Sequence, residues 1–470
     1  MKVNDDLTVT AWGRIWPAVI SAAELHALID EREDEGLYRI NRRMFTDPAI
    51  FDLEMEHIFA GNWVYLAHES QLPNANDFLT AHIGRQPVIL TRQPDGSLSA
   101  MLNACQHRGA VLELKTRGNK KLFVCPFHGW SYRNNGRLVS CGDVEAAGYS
   151  AGFDKGTLAL KAVPRVESYR GFVFACMNAD VGSLSDYLGE AKTFIGLIVD
   201  QDVHAELQVI PGPQTYTFDG NWKLQAENGV DGYHVNMIHG NYVLTTKNRE
   251  RIAGANDVVK PLDVGNFQKL PGGYYAFENG HAVLWNELPN PEVRPSFPLR
   301  DFYVEKFGEE RAYWMTNTWR NLFIFPNLFL MDQMSSQIRT FRPLGLEKTE
   351  VKALAFAPKH EAPELLPKRI RQYEDFFNAS GLATPDDLAA FNATQAGFAA
   401  LDAEWSDVSR GARNLISGPD DRAKRLGFKP QFCGTQLQDE GLFLNQHRQW
   451  LKILTEGLQK NDAIVREAAE

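Results

Sequence analysis

The chain has few cysteines and lacks any hydrophobic stretch long enough to cross a bilayer. Five cysteines occur in 470 residues, and such a sparse, odd set does not predict a disulfide framework. No run of about 18 apolar residues is present, so no transmembrane helix is expected. Residues 1–6 contain no basic segment followed by an apolar one, which predicts no secretory signal. Together these absences favour a cytoplasmic protein without a membrane partner.

The chain also lacks an excess of positive charge. Lys and Arg number 49 against 59 for Asp and Glu, which gives a formal net charge of −10. Because the phosphate backbone attracts basic surfaces, nucleic acid is not the expected partner. The hydrophobic fraction of 44% and the charged fraction of 23% are typical of a globular protein. The length predicts two or more core-forming units.

One short stretch, residues 227–239, contains the candidate metal-site residues Asp231, His234 and His239. Asp231 lies three residues before His234, so on a helix the carboxylate can hold the outer nitrogen of a metal-bound imidazole. His234 and His239 are five residues apart, so their convergence needs a local distortion of the helix. With one distant carboxylate, two imidazoles form the facial triad of a non-haem Fe(II) site. The alternative is two ordinary half-buried histidines on an amphipathic helix.

Two further pairs, Cys105-x-His107 and Cys125-x-x-His128, lie in a region of short strands. Each pair follows a predicted strand and precedes a glycine, so each can occupy a tight loop. Two thiolates and two imidazoles can bind zinc. They can equally hold a Rieske [2Fe–2S] cluster, with the cysteines on one iron and the histidines on the other. The pattern favours the cluster, because each loop then supplies one ligand to each iron.

An electron carrier and a mononuclear iron site form a functional pair, because oxygen activation at Fe(II) needs electrons delivered one at a time. The remaining cysteines, Cys141, Cys176 and Cys433, lack neighbouring ligand residues. Free cysteines are among the most buried residue types, so structural positions are expected for these three.

The pattern of apolar residues and turns divides the chain into three segments. Residues 1–60 are predicted to be mostly helical, with Ser21 as the cap of one helix and Asp47-Pro48 at the start of another. Residues 61–163 are predicted to form a small β domain with hairpin turns, one of them at Pro94-Asp95-Gly96. Residues 164–470 mix strands and helices and contain no repeat or flexible linker.

These motifs make the chain similar to the large (α) subunits of Rieske non-haem iron aromatic-ring-hydroxylating dioxygenases over essentially its whole length. The matching stretches are residues 105–109, 125–130, 220–223 and 231–239. Two others, residues 61–70 and 438–443, resemble the benzoate, toluate, halobenzoate and anthranilate branch. The implied fold class is α+β: a small all-β Rieske domain and a larger α+β catalytic domain built on an antiparallel sheet with helices. Residues 1–60 then form the N-terminal helical part of the catalytic domain.

The resemblance implies a role for each candidate residue. The family's cluster ligands match Cys105, His107, Cys125 and His128. The family's two iron histidines match His234 and His239. The family's iron carboxylate lies far downstream, where Thr384-Pro385-Asp386-Asp387 fits the pattern. We assign Asp387; the alternatives are Asp386, or two charges that merely stabilise a helix N-terminus. Asp231 matches the catalytic aspartate that links a cluster histidine of one subunit to an iron histidine of its neighbour.

The implied function is the oxygenase component of an aromatic-carboxylate 1,2-dioxygenase that uses O2. Its product would be a cis-diol acid, or a catechol when an ortho substituent leaves. The implied partners are a small β subunit in an α3β3 assembly and an NADH-dependent flavin/iron–sulfur reductase. The alternatives are a salicylate-type monohydroxylase with the same metals, a Rieske electron-transfer protein and a zinc-stabilised binding module. The sequence does not identify the residue that anchors the substrate carboxylate.

Overall fold

The computed structural model describes residues 7–9, 15–17, 20–142, 144, 147–253 and 269–469. The chain forms two compact units, of which the smaller, Phe59–Asp186, is inserted in the sequence of the larger, Met1–Ile58 with Tyr187–Glu470. In the described part of the chain, none of the helices combines the length and apolar character that a membrane span requires.

The N-terminal segment contains strands as well as the predicted helices. Its elements are β1 (Leu7–Val9), β2 (Ile15–Pro17), α1 (Ala22–His26), β3 (Ile29–Arg32), β4 (Leu37–Asn41), α2 (Arg43–Thr46), α3 (Pro48–Leu53) and a π-helix, Glu54–Ala60. Ser21 caps α1 in a full capping box, and Asp47 caps α3, as predicted. The prediction of a mostly helical segment was wrong for residues 29–41. There Tyr38 and Ile40 alternate with less buried residues, which is the period of a strand.

The regular secondary structure of the smaller unit consists mainly of strands joined by turns and loops. The strands are β5 (Val64–His68), β6 (Asp77–Ile83), β7 (Gln86–Arg92), β8 (Leu98–Leu102), β9 (Arg117–Asn119), β10 (Leu122–Val124), β11 (Ser131–Arg133), β12 (Leu138–Ser140), β13 (Arg165–Tyr169) and β14 (Phe172–Cys176). They form three sheets, in the orders β8-β7-β6-β9, β10-β11-β12 and β13-β14-β5. The predicted hairpin at residues 94–96 joins β7 and β8 in antiparallel register.

The smaller unit extends beyond the predicted domain boundary at residue 163. The strands β13 and β14 pair with each other, and β14 pairs with β5, so this three-stranded sheet joins residues far apart in sequence. The segment after Val163 was predicted to belong to the larger domain. The pairing of β14 with β5 was missed, because pairing between strands distant in sequence leaves no local signal. Cys176 is fully buried in β14, as expected. The helix α4 (Leu184–Leu188) spans the junction of the two units.

The larger unit is a ten-stranded antiparallel sheet with helices, as the fold class predicted. Its remaining elements are α5 (Lys192–Val199), β15 (Leu207–Val209), β16 (Gln214–Phe218), α6 (Trp222–Asn228), α7 (Val235–Ile238), α8 (Gly240–Ala253), β17 (Gly272–Ala276), β18 (Ala282–Glu287), α9 (Arg300–Phe307), α10 (Glu309–Thr316), β19 (Thr318–Ile324), β20 (Leu328–Asp332), β21 (Ser336–Gly345), β22 (Lys348–Pro358), α11 (Leu366–Phe376), α12 (Thr384–Gly397), β23 (Trp405–Asp407), β24 (Ile416–Ser417), α13 (Asp421–Leu426), β25 (Phe432–Gly434) and α14 (Gly441–Ala469). The strand order is β15-β22-β21-β20-β19-β18-β17-β25-β24, and β16 also pairs with β22. The short strand β23 instead pairs with β4.

A buried carboxylate, Glu54, fixes the helix that leads to the histidines. It accepts hydrogen bonds from the indole N–H groups of Trp222 (2.8 Å) and Trp450 (2.7 Å) and from the ammonium of Lys223 (2.5 Å). Asn221 caps α6 by accepting from the backbone N–H of Lys223. Because a buried charge is stable only when paired and hydrogen-bonded, this cluster holds the start of α6 firmly.

Candidate metal centres

In the larger unit, His234, His239 and Asp387 converge on one point. The Nε2 atoms of His234 and His239 lie 3.6 and 3.4 Å from the same oxygen, Oδ1 of Asp387. One ligand atom from each residue lies within 4.8 Å of the other two. Two imidazoles and one carboxylate in this arrangement are the donor set of a facial-triad iron site.

The five-residue spacing is accommodated by a break in the helix. His234 is the N-cap and His239 the C-cap of the one-turn helix α7, and a new helix, α8, starts at Gly240. This break is the local distortion that the spacing required. The prediction that Asp231 shares a helix face with His234 was wrong, because Asp231 lies in the coil between α6 and α7.

Asp231 nevertheless reaches the outer nitrogen of His234. Its Oδ2 lies 3.0 Å from His234 Nδ1. Its Oδ1 accepts a hydrogen bond from the backbone N–H of Tyr233 at 2.6 Å, and the backbone N–H of His234 donates to the same atom at 3.4 Å. The two carboxylate oxygens therefore have different neighbours: Oδ1 accepts from the backbone of the coil, and Oδ2 lies beside the imidazole.

Asp387, rather than Asp386, is the aspartate that faces the histidines. Both lie in the first turn of α12, but only Asp387 belongs to the converging group. Asp387 is buried, whereas Asp386 is partly exposed. Successive residues of a helix point in directions about 100° apart, so only one of two neighbours can face a given point. The geometry supports Asp387 as the ligand.

The electrostatics of the three residues suit a cation. Burial raises the pKa of the Asp387 carboxyl to about 6, although the charges of His234 and Arg339 act in the opposite direction. Burial, with the charges of His234 and Arg339, lowers the pKa of His239 to about 3, so this imidazole is neutral and keeps its lone pair. Burial also acts to lower the pKa of His234, but the Asp231 and Asp387 carboxylates together outweigh it and raise that pKa. A divalent cation would offset the burial cost of the carboxylate.

In the smaller unit, the two Cys/His loops have the same backbone structure. In the first, the N–H of Gly109 donates to the carbonyl oxygen of Cys105 at 2.8 Å; in the second, Gly129 donates to Cys125 at 3.0 Å. Both glycines have φ of +74°, a left-handed conformation that other residues rarely adopt. The loops follow β8 and β10, as the strand prediction implied.

The side chains of the loops separate into a buried thiol pair and an exposed imidazole pair. Cys105 and Cys125 are each 3% exposed and form no disulfide, whereas His107 and His128 are exposed. The two imidazole rings lie 4.6 Å apart between centroids. The Tyr132 hydroxyl lies 3.3 Å from Cys105 Sγ, where it can donate to a thiolate. This arrangement fits a Rieske cluster whose inner iron is held by sulfur and whose outer iron is held by nitrogen.

We predict that His128→Ala abolishes the visible absorption and reduced-state EPR signal of a Rieske cluster. One ligand of the outer iron is then lost, and no described residue beside it can replace an imidazole. His82→Ala is the control, because His82 lies in β6 outside both loops. An unchanged Rieske spectrum in His128→Ala would show that this histidine is not a ligand.

Two features near the triad were missed by the sequence analysis. The Nδ2 atom of Asn228 lies 3.4 Å from both His234 Nε2 and Asp387 Oδ1, so an amide stands beside two of the three ligands. Arg339 is a buried arginine in β21 whose charge acts on Asp387 and His239. A charged residue in an otherwise buried strand was a signal that could have identified Arg339.

Gly232 is required by a close approach of two segments. A Cβ at this position would overlap the backbone carbonyl of Leu437, and backbone cannot move aside as a side-chain tip can. We predict that Gly232→Ala destabilises the larger unit by about 1–3 kcal/mol, the usual cost of overpacking. Iron content should fall while the cluster spectrum stays. Gly240→Ala is the matched control, because a Cβ there would meet no atom within 4 Å; equal iron loss in both variants would contradict the argument.

Comparison with known proteins reveals matches in both units. Residues 62–152 match the family described as Rieske [2Fe-2S] domain, and residues 205–452 match Ring hydroxylating alpha subunit (catalytic domain). The chain is 47% identical to toluate 1,2-dioxygenase subunit alpha from Pseudomonas putida, over 93% of this chain and 95% of that protein. It is 48% identical to anthranilate 1,2-dioxygenase large subunit from Acinetobacter baylyi, over 92% and 93% of the two chains. A crystal structure of naphthalene 1,2-dioxygenase from Rhodococcus sp. bound to indole is similar, with a TM-score of 0.76 and 26% identity over 93% of this chain and 97% of that one.

Proposed function

This chain belongs to the large (α) subunits of Rieske-type ring-hydroxylating dioxygenases, and from this membership we propose that it oxidises a benzoate-like aromatic carboxylate with O2. It is an oxidoreductase of the benzoate-type 1,2-dioxygenase group and uses a Rieske [2Fe–2S] cluster and a mononuclear iron. The proposed reaction adds both oxygen atoms to ring carbons 1 and 2. The product is a cis-diol carboxylic acid, or a catechol when the ortho substituent leaves and the carboxylate is lost as CO2.

The observation that supports the proposal is the convergence of His234, His239 and Asp387 in a chain that also has two matched Cys/His loops. When bound, the cluster supplies single electrons and the iron supplies the site for O2. His234, His239 and Asp387 would hold the iron. Asp231 fixes the orientation of His234 through its outer nitrogen. A pure electron carrier would not need this second set of converging ligands.

The exposed surfaces around both centres support a proposal about assembly. Large apolar side chains stand out from each: Phe127 is 55% exposed beside His128, while Tyr233 and Met237 are 50% and 85% exposed beside the iron histidines. Contiguous apolar groups on a protein surface mark interaction sites. We propose that the cluster loops of one copy cover the Asp231 region of the next, in an α3β3 assembly with a small β subunit. An NADH-dependent flavin/iron–sulfur reductase is the proposed electron donor.

Metal content provides the first test of the function. The purified oxygenase should contain about three irons per chain, two from the cluster and one from the triad, whereas a Rieske carrier would contain about two. A protein with zinc and no visible absorption would instead be the zinc-stabilised module. About two irons per chain after anaerobic loading with Fe(II) would contradict the oxygenase.

Product analysis provides the second test. The oxygenase is incubated with its reductase, NADH, 18O-labelled O2 and a panel of benzoate, toluates, anthranilate, 2-halobenzoates and salicylate. The proposal expects two labelled oxygen atoms in the product of at least one benzoate-type acid. One labelled atom, with salicylate as the preferred substrate, would identify a salicylate-type monohydroxylase.

A further inference from the structure

We propose that Arg339 anchors the carboxylate of the substrate, with the Gln337 amide and the Tyr373 hydroxyl as further hydrogen-bond donors. This inference rests on the proposed function, because it concerns the acid group of the same substrate. Arg339 would then be the residue through which the enzyme distinguishes an aromatic acid from a neutral aromatic ring.

Arg339 differs from the other buried arginines of the described chain in having no carboxylate partner. It is 3% exposed. The other three are paired with buried carboxylates: Arg294 and Arg320 with Asp332, and Arg369 with Glu361. Among the described residues, no carboxylate lies within ion-pair distance of Arg339, and its Nε–H has no acceptor. A buried charge without a partner is costly, so this guanidinium is suited to an anion that arrives from outside.

Arg339 lies in the ten-stranded sheet of the larger unit. It occupies β21, directly opposite Phe329 of β20.

An aromatic wall connects Arg339 to His239. The guanidinium carbon lies 5.7 Å from the ring centroid of Phe377. The ring centroids of Phe377 and Phe376 are 4.8 Å apart, and those of Phe376 and His239 are 5.3 Å apart. Tyr242 extends the wall at 4.8 Å from Phe376. A benzene ring can pack edge-to-face against such side chains, with its acid group at the Arg339 end.

Other buried polar groups near Arg339 also lack partners. Gln337 is fully buried on the same face of β21 as Arg339, and neither of its amide atoms has a hydrogen-bond partner among the described residues. The Tyr373 hydroxyl and Oε1 of Gln372 are also buried and have no hydrogen-bond partner among the described residues. Buried polar groups normally find partners, so a cluster of unpartnered ones indicates a bound polar ligand. The Gln337 amide and the Tyr373 hydroxyl can each donate to a carboxylate oxygen.

The chemistry of the reaction requires the anchor to be close to the iron. If ring carbons 1 and 2 are oxidised, the carboxylate is bonded directly to one of the reacting carbons. Its oxygens then lie only two bonds from that carbon, so a remote anchor could not hold it. Phe377 and Phe376 connect Arg339 to the ligand histidine His239, and the planar guanidinium can bind both carboxylate oxygens in parallel.

The test uses Arg339→Met, which keeps most of the side-chain volume, in the complete holoenzyme with its reductase. We expect kcat/KM for benzoate to fall about 100-fold, the effect of losing two charge-assisted hydrogen bonds. Turnover of toluene, which has the same ring and no acid group, should stay the same or rise. Arg342→Met is the matched control on the same strand, because Arg342 is paired with Glu350 at 2.7 Å. An equal fall for benzoate and toluene in Arg339→Met would overturn the proposal.

Binding is measured separately from turnover. Calorimetric titration of the anaerobic holoenzyme with benzoate should give a Kd raised about 100-fold in Arg339→Met. Arg339→Lys should restore part of the affinity, because an ammonium keeps the charge and loses the fork geometry. If Arg339→Met does not fold, Arg339→Lys decides: a raised KM for benzoate with unchanged toluene turnover supports the anchor, and wild-type values for both overturn it. Wild-type enzyme that oxidises no aromatic acid would instead refute the proposed function itself.

Discussion

An Asp231→Asn enzyme is expected to keep its fold, its cluster and most of its iron, and to lose coupled turnover by about 100-fold. The reason lies in how the two carboxylate oxygens are used. Oδ1 already accepts from the backbone N–H of Tyr233, so the amide oxygen of an asparagine should stay at that position. Its NH2 group would then face His234 Nδ1, where Oδ2 now lies at 3.0 Å. A donor would replace the acceptor that holds this imidazole.

The same substitution should interrupt electron transfer between subunits. Oδ2 is the oxygen available both to His234 and to a cluster histidine of a neighbouring copy, for which we propose His128. With a donor in its place, the proposed hydrogen-bonded path between cluster and iron would be broken, although neither set of proposed metal ligands is altered.

Stopped-flow spectroscopy measures this effect directly. The cluster is reduced anaerobically, substrate and O2 are added, and its reoxidation is followed in wild type and variant. We expect a cluster that stays reduced beside intact iron. Asp301→Asn is the control, because Asp301 is a fully exposed carboxylate on α9. Reoxidation at the wild-type rate with product formation would refute the bridging role of Asp231.

An Asp387→Ala enzyme is expected to lose its mononuclear iron and to retain the cluster, leaving about two irons per chain. The two imidazoles alone bind Fe(II) weakly, and the only negative charge of the converging group is removed. Turnover should fall by more than about 100-fold, beyond the loss expected from an outer hydrogen-bond partner. The visible spectrum should not change, because the cluster ligands lie in the other compact unit.

Asp386→Ala is the matched control for this prediction. Asp386 occupies the same helical turn and carries the same charge, but it does not belong to the converging group. The Asp386→Ala enzyme should therefore keep the iron bound by His234, His239 and Asp387 and most of its activity. Iron loss in Asp386→Ala, with normal iron in Asp387→Ala, would transfer the ligand assignment to Asp386.

The sequence by itself identified the two Cys/His loops and the two candidate iron histidines, His234 and His239. Each loop carries its ligands within four residues, Cys105 to His107 and Cys125 to His128, so the pattern is visible without knowledge of the fold. The general division into a β domain and an α+β domain was also predictable, because turn residues and apolar periodicity are local properties.

Only the tertiary structure decided which downstream residues join the iron ligands. Asp386 and Asp387 are equivalent in local sequence, and the direction of α12 selects Asp387. Nothing near Arg339 in sequence shows that it lacks a carboxylate partner, because that depends on every element packed around β21. The pairing of β14 with β5 and the coil position of Asp231 were missed for the same reason. Contacts between residues distant in sequence depend on how the elements pack, and local propensity does not record them.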